Sequence, residues 1–352
     1  MNQSTRFYFL DNLRAFVILL VVILHGSMTY MAYAPAWWYV LDPQNSLFFT
    51  ILVLLIDIPI MLVMFFIARI GAPWLIGALF LAPPTAYMIY FSRGAPLTFL
   101  QFWTTAFWGE GYQQSVYWFL GVLFLFFIVL SLAYAASDRL RSAARRIATP
   151  SWQLFVVFWA IMSGGMLFMN QFFPVDTWFR DWYILVFQPE RVPLYIGYFV
   201  LGIYAHLNGW FTDPGYRPRL LPWTVIWIFS GLLYLGNRLF VMPTVPEPTL
   251  LIQVAHAMLF NAFCLSSLLA GVALFQRKAN ETGPIWASLA ASSYGIYYIH
   301  PLILYPLAYL FVSVSLPLFI KAPLVIILAI GLSWTVSSLI LTKAPVVRRA
   351  FA

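Results

Sequence analysis

Residues 47–68 read LFFTILVLLIDIPIMLVMFFIA, twenty-two positions with a single ionisable side chain, Asp57, near the middle. A helix rises about 1.5 Å per residue and crosses the hydrocarbon core of a bilayer in about 20 residues. This stretch is therefore long enough to span, and it carries a carboxylate into the membrane. Runs of similar character lie at about 13–34, 73–91, 115–135, 152–170, 192–207, 222–242, 251–275, 285–311 and 322–341. The sixth is short, and the ninth is long enough to tilt or bend at Pro301 and Pro306. Ten runs in all imply an all-α polytopic membrane protein of about ten transmembrane helices, with residues 1–352 forming one integral-membrane domain.

Composition agrees. The chain is 63% hydrophobic and 9% charged, whereas a soluble domain carries about 25% charged residues. Disorder, collagen and disulfide scaffolds are excluded by 33 Phe, 15 Trp, 20 Tyr and one cysteine. Alternating strands of about ten residues are absent, which argues against an outer-membrane barrel. The net charge of +8 points to no nucleic-acid partner, because the basic residues sit in short loops between apolar runs. With the N-terminus inside, fourteen of the 19 Lys and Arg fall in inner segments. Four fall outside (Arg93, Arg180, Arg191 and Lys321), and Arg238 lies within a run. That asymmetry implies an N-in, C-in orientation. The outer connections are aromatic instead, with Trp37, Trp38, Trp103, Trp108, Trp178 and Trp182. Arg6, the apolar run after it and Ala32-Tyr33-Ala34 also resemble a signal peptide with its cleavage site. Asp11, Arg14 and His25 within that segment favour a retained first helix.

Ionisable groups in hydrocarbon are costly, so each is a functional candidate. Five stand out: Arg14, His25, Asp57, Arg238 and His300. At 100° per residue, Arg14 and His25 differ by about 20°, and Asp11 and His25 by about 40°. The first helix thus bears one stripe facing the interior, with His25 about 16 Å along from Arg14. Asp57, on the neighbouring helix, is expected to meet His25 and set its tautomer, leaving the other nitrogen as a base. Alternatively, Asp57 and Arg238 neutralise each other. Walker A, Gly-x-Ser-x-Gly and His-Glu-x-x-His patterns are absent. With four histidines and one cysteine, no metal site is expected. What remains is acid–base chemistry beside a cation, which suits group transfer to a hydroxyl from a phosphate-bearing donor. Proton-coupled transport by the same groups is the rival reading.

Leu10-Asp11-Asn12-Leu13-Arg14-Ala15, continuing to Val22-Ile23-Leu24-His25, resembles the first helix of the acyltransferase 3 family of membrane O-acyltransferases. Tyr117-Trp118-Phe119-Leu120-Gly121, Tyr195-Ile196-Gly197-Tyr198-Phe199-Val200-Leu201-Gly202 and Ser293-Tyr294-Gly295-Ile296-Tyr297-Tyr298-Ile299-His300-Pro301 are similar to further family segments, in the family's order. The resemblance implies transfer of an acetyl or other short acyl group. The donor would be cytoplasmic acetyl-CoA or another acyl-CoA, the acceptor a hydroxyl of a glycan or small molecule, and the site a bacterial inner membrane. It makes His25 the key catalytic histidine, with Arg14 and Asp11 its motif companions. The ionisable groups in hydrocarbon add Asp57 and His300 as catalytic candidates, and Arg14, Asp11, Arg69 and Trp118 are the donor-side candidates. Arg69-Ile70-Gly71-Ala72-Pro73 resembles the end of a basic family stretch. Here, however, Phe66 stands at the earlier basic position, and Met64–Ala68 runs directly into Arg69 without a basic loop. A degenerate, non-catalytic family member is the reading which that difference would favour.

Overall fold

Backbone amides and carbonyls find no water in hydrocarbon, so a spanning segment must bond to itself, and helices result. The computed structural model describes residues 7–34, 39–67, 74–138, 148–180, 183–211, 215–244, 248–281 and 283–341. Among these the chain forms ten long helices: α1 (Tyr8–Met28), α2 (Leu47–Ile67), α3 (Trp74–Ser92), α4 (Ser115–Ala136), α5 (Trp152–Met169), α6 (Val192–Leu207), α7 (Leu220–Thr244), α8 (Leu250–Lys278), α9 (Pro284–Val312) and α10 (Leu318–Val336). Extended pairing among the described residues is confined to two isolated bridges, Met31 with Ser46 and Phe179 with Phe187.

Nine of the ten are long and apolar enough to cross a membrane. The exception is α6, whose 16 residues amount to about 24 Å, so the sixth run falls short of an independent span. A 3₁₀ turn, Pro189–Arg191, leads into it. It packs against α2 and α5. Close approach to α2 is possible because Gly202 has no side chain: a Cβ there would lie 2.5 Å from the Phe66 carbonyl oxygen.

The most buried helix is α8, 67% of whose apolar window is covered, against 22% for α5 and α7. Beside it, α1 packs on α2, α8, α9 and α10. Leu125, Val129 and Leu132 on α4, Phe229 and Leu232 on α7, and Ile327 on α10 stay exposed. These are the faces that would meet lipid.

The first helix starts and stops earlier than the run 13–34 suggests. Asp11 and Arg14, one turn apart, pair at 3.0 Å, so their charges are accommodated within the helix. After Met28 the chain turns, and the Ala32 N–H donates to Thr50 Oγ1 at 3.0 Å. His25 consequently sits in the last turn of α1 rather than at its middle.

Both long connections, 93–114 and 170–191, cover the same end of the bundle. Tyr112 donates its hydroxyl to the Tyr183 carbonyl, Gln114 donates to the Ile184 carbonyl at 2.9 Å, and Arg180 donates to the Glu110 carbonyl at 3.2 Å. At this end too, Lys321 in the first turn of α10 reaches Asp42 at 3.0 Å, each side chain 1% exposed. Lys321 thus serves the interior rather than the outer surface. Removing one partner of such a pair leaves a buried charge uncompensated, at a cost of about 3–5 kcal/mol. Lys321→Met should therefore lower the thermal denaturation midpoint sharply. Asp42→Asn combined with Lys321→Met should recover most of the loss, and an equal loss in the double variant would contradict the pairing.

Candidate active site

His25 and His300 meet where α1 and α9 pack together. Their rings lie 5.1 Å apart between centroids, at 30°. His300 is completely buried. Its Nδ1 faces the Tyr297 carbonyl at 2.7 Å and the Ile296 carbonyl at 3.3 Å. A carbonyl only accepts, so this nitrogen carries the proton, and in a neutral ring Nε2 is left with its lone pair. That lone pair faces His25 Nδ1 at 3.1 Å. His25 must therefore donate from Nδ1, which leaves its Nε2 unprotonated. Two backbone carbonyls of α9 in this way select the basic nitrogen on α1.

A small cavity, about 50 Å³ and partly open to solvent, adjoins this pair on the connection side. His25 and Asp57 share its wall with Tyr39, Trp118, Trp178 and Tyr305. Trp118 stands edge-on to Trp178 at 5.2 Å between ring centroids. Ser115, also in the wall, adopts φ 47°, a conformation uncommon for a residue with a side chain. Its neighbours Val116 and Tyr117 are tied to α9, with the Tyr117 hydroxyl donating to the Tyr298 carbonyl at 2.7 Å and the Tyr297 hydroxyl to the Val116 carbonyl.

Asp57 lines the cavity but does not bond to His25. Its Oδ2 accepts from Arg191 Nη1 at 3.1 Å. The expected Asp57–His25 pairing is replaced because a full charge in the membrane is better satisfied by a guanidinium than by a neutral ring. Nor do Asp57 and Arg238 neutralise each other directly. Arg191 Nη2 also donates to Asp176 Oδ1 at 3.0 Å, and Asp176 Oδ2 pairs with Arg238. A chain of alternating charge thus runs from the cavity wall to the C-terminal part of α7. Asp176 is held at φ 62°, its N–H donating to Glu190 Oε1 at 2.9 Å.

The residues placed on the donor side separate. Arg14 and Asp11 pair at the opposite end of α1, where the neighbouring Asn12 side chain donates to the Ala279 and Glu281 carbonyls. Between Arg14 and His25 the stripe is filled by Ile18 and Val21, both buried. Trp118 lies with His25 at the cavity. Arg69 and the segment 68–73 lie outside the described residues. Two interior groups escaped the sequence reading. Arg191 reads from the sequence as an outer loop residue, yet its side chain turns inward to Asp57, and an Asp buried in α2 calls for such a cation. His256, buried in α8 with Nδ1 3.5 Å from the Asn237 amide nitrogen, stands in an apolar run like the other interior histidines.

The family model for the acyltransferase domain, of the acyltransferase 3 type, matches residues 7–340. The chain belongs to that family. It is a membrane acyltransferase, and the match covers every helix that carries the histidine pair and the cavity. No curated relative and no solved structure matches it.

Burial pushes the Glu190 carboxyl up to about 7, against the pull of Arg191, and its Oε2 has no hydrogen-bond partner among the described residues. Burial also acts on Asp176, but Arg238 and Arg191 outweigh it and hold that carboxyl below its ordinary value. The signs are opposite. Stability from protonated Glu190 is complete below its unfolded value of about 4.3 and is lost as pH rises through about 7. Stability from Asp176 is lost only on acidification below the ordinary carboxylate range. Between pH 5 and about 7, therefore, Glu190 should contribute a fall in thermal stability with rising pH, read as the difference between wild type and a variant that cannot titrate there. Glu190→Gln, which keeps the acceptor for the Asp176 N–H, should flatten that slope; an unchanged slope would show that Glu190 does not titrate there.

Proposed function

We propose that this acyltransferase moves an acetyl or other short acyl group from acyl-CoA to a hydroxyl-bearing acceptor, a glycan or small molecule, with His25 as general base. The observation that carries this reading is the His25–His300 pair at the cavity. An acceptor hydroxyl within about 3 Å of His25 Nε2 can give up its proton as its oxygen attacks the thioester carbonyl carbon. As the tetrahedral intermediate collapses, the C–S bond breaks and the proton passes from His25 to the leaving thiolate. The products are the ester and free CoA thiol, with no net proton taken up. His300 Nε2, accepting from His25 Nδ1, stabilises the imidazolium formed in between. Asp57 across the cavity adds a negative charge for it.

Arg14 is assigned to the donor's phosphates from the far end of α1, about 16 Å from His25, with Asp11 holding its guanidinium and Arg69 as a second cation. Trp118 flanks the reacting groups. In this reading the donor comes from the N-terminal side, the acceptor from the side of the long connections, and the membrane is a bacterial inner membrane.

Acetyl-CoA turnover by the purified protein in liposomes tests the assignment. Wild type should release thiol, and His25→Ala should reduce the rate by a factor of about 10² or more while still inserting and folding. Turnover that survives in the variant would remove His25 from its role.

A further inference from the structure

Asp57 offers the cavity one oxygen and gives the other to Arg191. The described residues place a hydrogen bond on Oδ2 alone. The side chain, although in the middle of α2, keeps 25% of its exposure, and the cavity is what it is exposed to. Among the described lining residues it is the one carboxylate. A carboxylate at this depth needs a reason, because an apolar or amide side chain would cost far less there.

Arg191 supplies the support behind it. Its side chain is 6% exposed, its guanidinium lies 5.7 Å from the centre of the Phe260 ring, and Asp176 fixes its other amino group at 3.0 Å. Glu190 Oε1 stands 3.6 Å from Nε. The guanidinium is thus clamped on several sides and cannot turn into the cavity itself. What it can do is hold Asp57 in one orientation, with Oδ2 engaged and the side chain lining the cavity that His25 also lines. The same cavity wall presents Trp118 and Trp178, whose rings suit the C–H faces of a saturated ring.

We infer that Asp57 Oδ1 accepts a second hydroxyl of the acceptor while the first is presented to His25, and that Arg191 is the positioning residue for this contact. The acceptor class that fits is a polyhydroxylated ring, since a site built to take a hydroxyl discriminates strongly against a ligand lacking one. This inference rests on the acyl-transfer reading for the identity of the reacting hydroxyl. Its binding half can be measured without any donor.

Saturation-transfer NMR on the full chain in nanodiscs, with methyl α-D-glucopyranoside as the probe, reads that binding. Wild type should bind the glucoside, and Asp57→Asn and Arg191→Gln should each raise the half-saturating concentration tenfold or more. Arg191→Gln alone leaves a buried carboxylate without its partner and could fail to fold. The double variant D57N/R191Q removes both charges, so its thermal midpoint should return towards wild type while binding stays weak. That split separates positioning from a merely structural pair. Wild-type binding in D57N, recovery of binding along with stability in the double variant, or no glucoside binding by wild type would each overturn the inference. Glucoside binding that is lost in D57N, in a protein that never turns over acetyl-CoA, would overturn acyl transfer and leave the hydroxyl anchor standing.

Discussion

Hydrocarbon offers a charged or polar side chain no water, so each one must bring its partner along. That constraint organises this protein more than any single contact. Asp42 and Lys321 meet across the connection end of the bundle. Asp57, Arg191, Asp176 and Arg238 alternate in sign from α2 to α7. His25 and His300 complete each other's hydrogen bonds. Such pairs contribute little net stability compared with apolar replacements. Their value lies in fixing which helices meet, and in which register.

The cavity owes its chemistry to that arrangement. Its histidine comes from the last turn of α1, the ring that orients that histidine from α9, and its carboxylate from α2. Its tryptophans come from the start of α4 and from the connection that Asp176 pins in place. A helix end brings a side chain close to solvent while keeping its backbone bonded. His25 shows this: it lines a cavity that is partly open to solvent, and it is close enough to α9 for its tautomer to be dictated. Asp176, in a left-handed conformation, links the loop carrying Trp178 to both arginines. The cavity wall and the interior charges are therefore mechanically connected.

Much of this could be read from the chain alone, and the parts that could not share a cause. Apolar run length located all ten long helices among the described residues, because span length is a local property. The stripe joining Asp11, Arg14 and His25 follows from helical period, and its interior-facing character holds, with Ile18 and Val21 buried between. Pairing between helices is different. Asp57 looked toward His25 because their helices are adjacent and their depths similar, yet the cation that takes it stands 134 residues further on, at a position shared with other outer arginines. Lys321 was hidden in the same way. His25 itself was placed too deep, since an apolar run continues past Met28 although the helix does not. Sequence period resolves which face a residue occupies; it does not resolve which partner waits there.

The tautomer of His25 is the claim from which the proposed chemistry follows. Nitrogen-15 NMR of histidine-labelled protein in nanodiscs at neutral pH, with His25 assigned by its loss in His25→Gln, measures it directly. The hydrogen-bond chain from Tyr297 through His300 predicts a protonated Nδ1 and a bare Nε2 on His25. A proton on Nε2, with Nδ1 bare, would leave no base facing the cavity and would contradict the account.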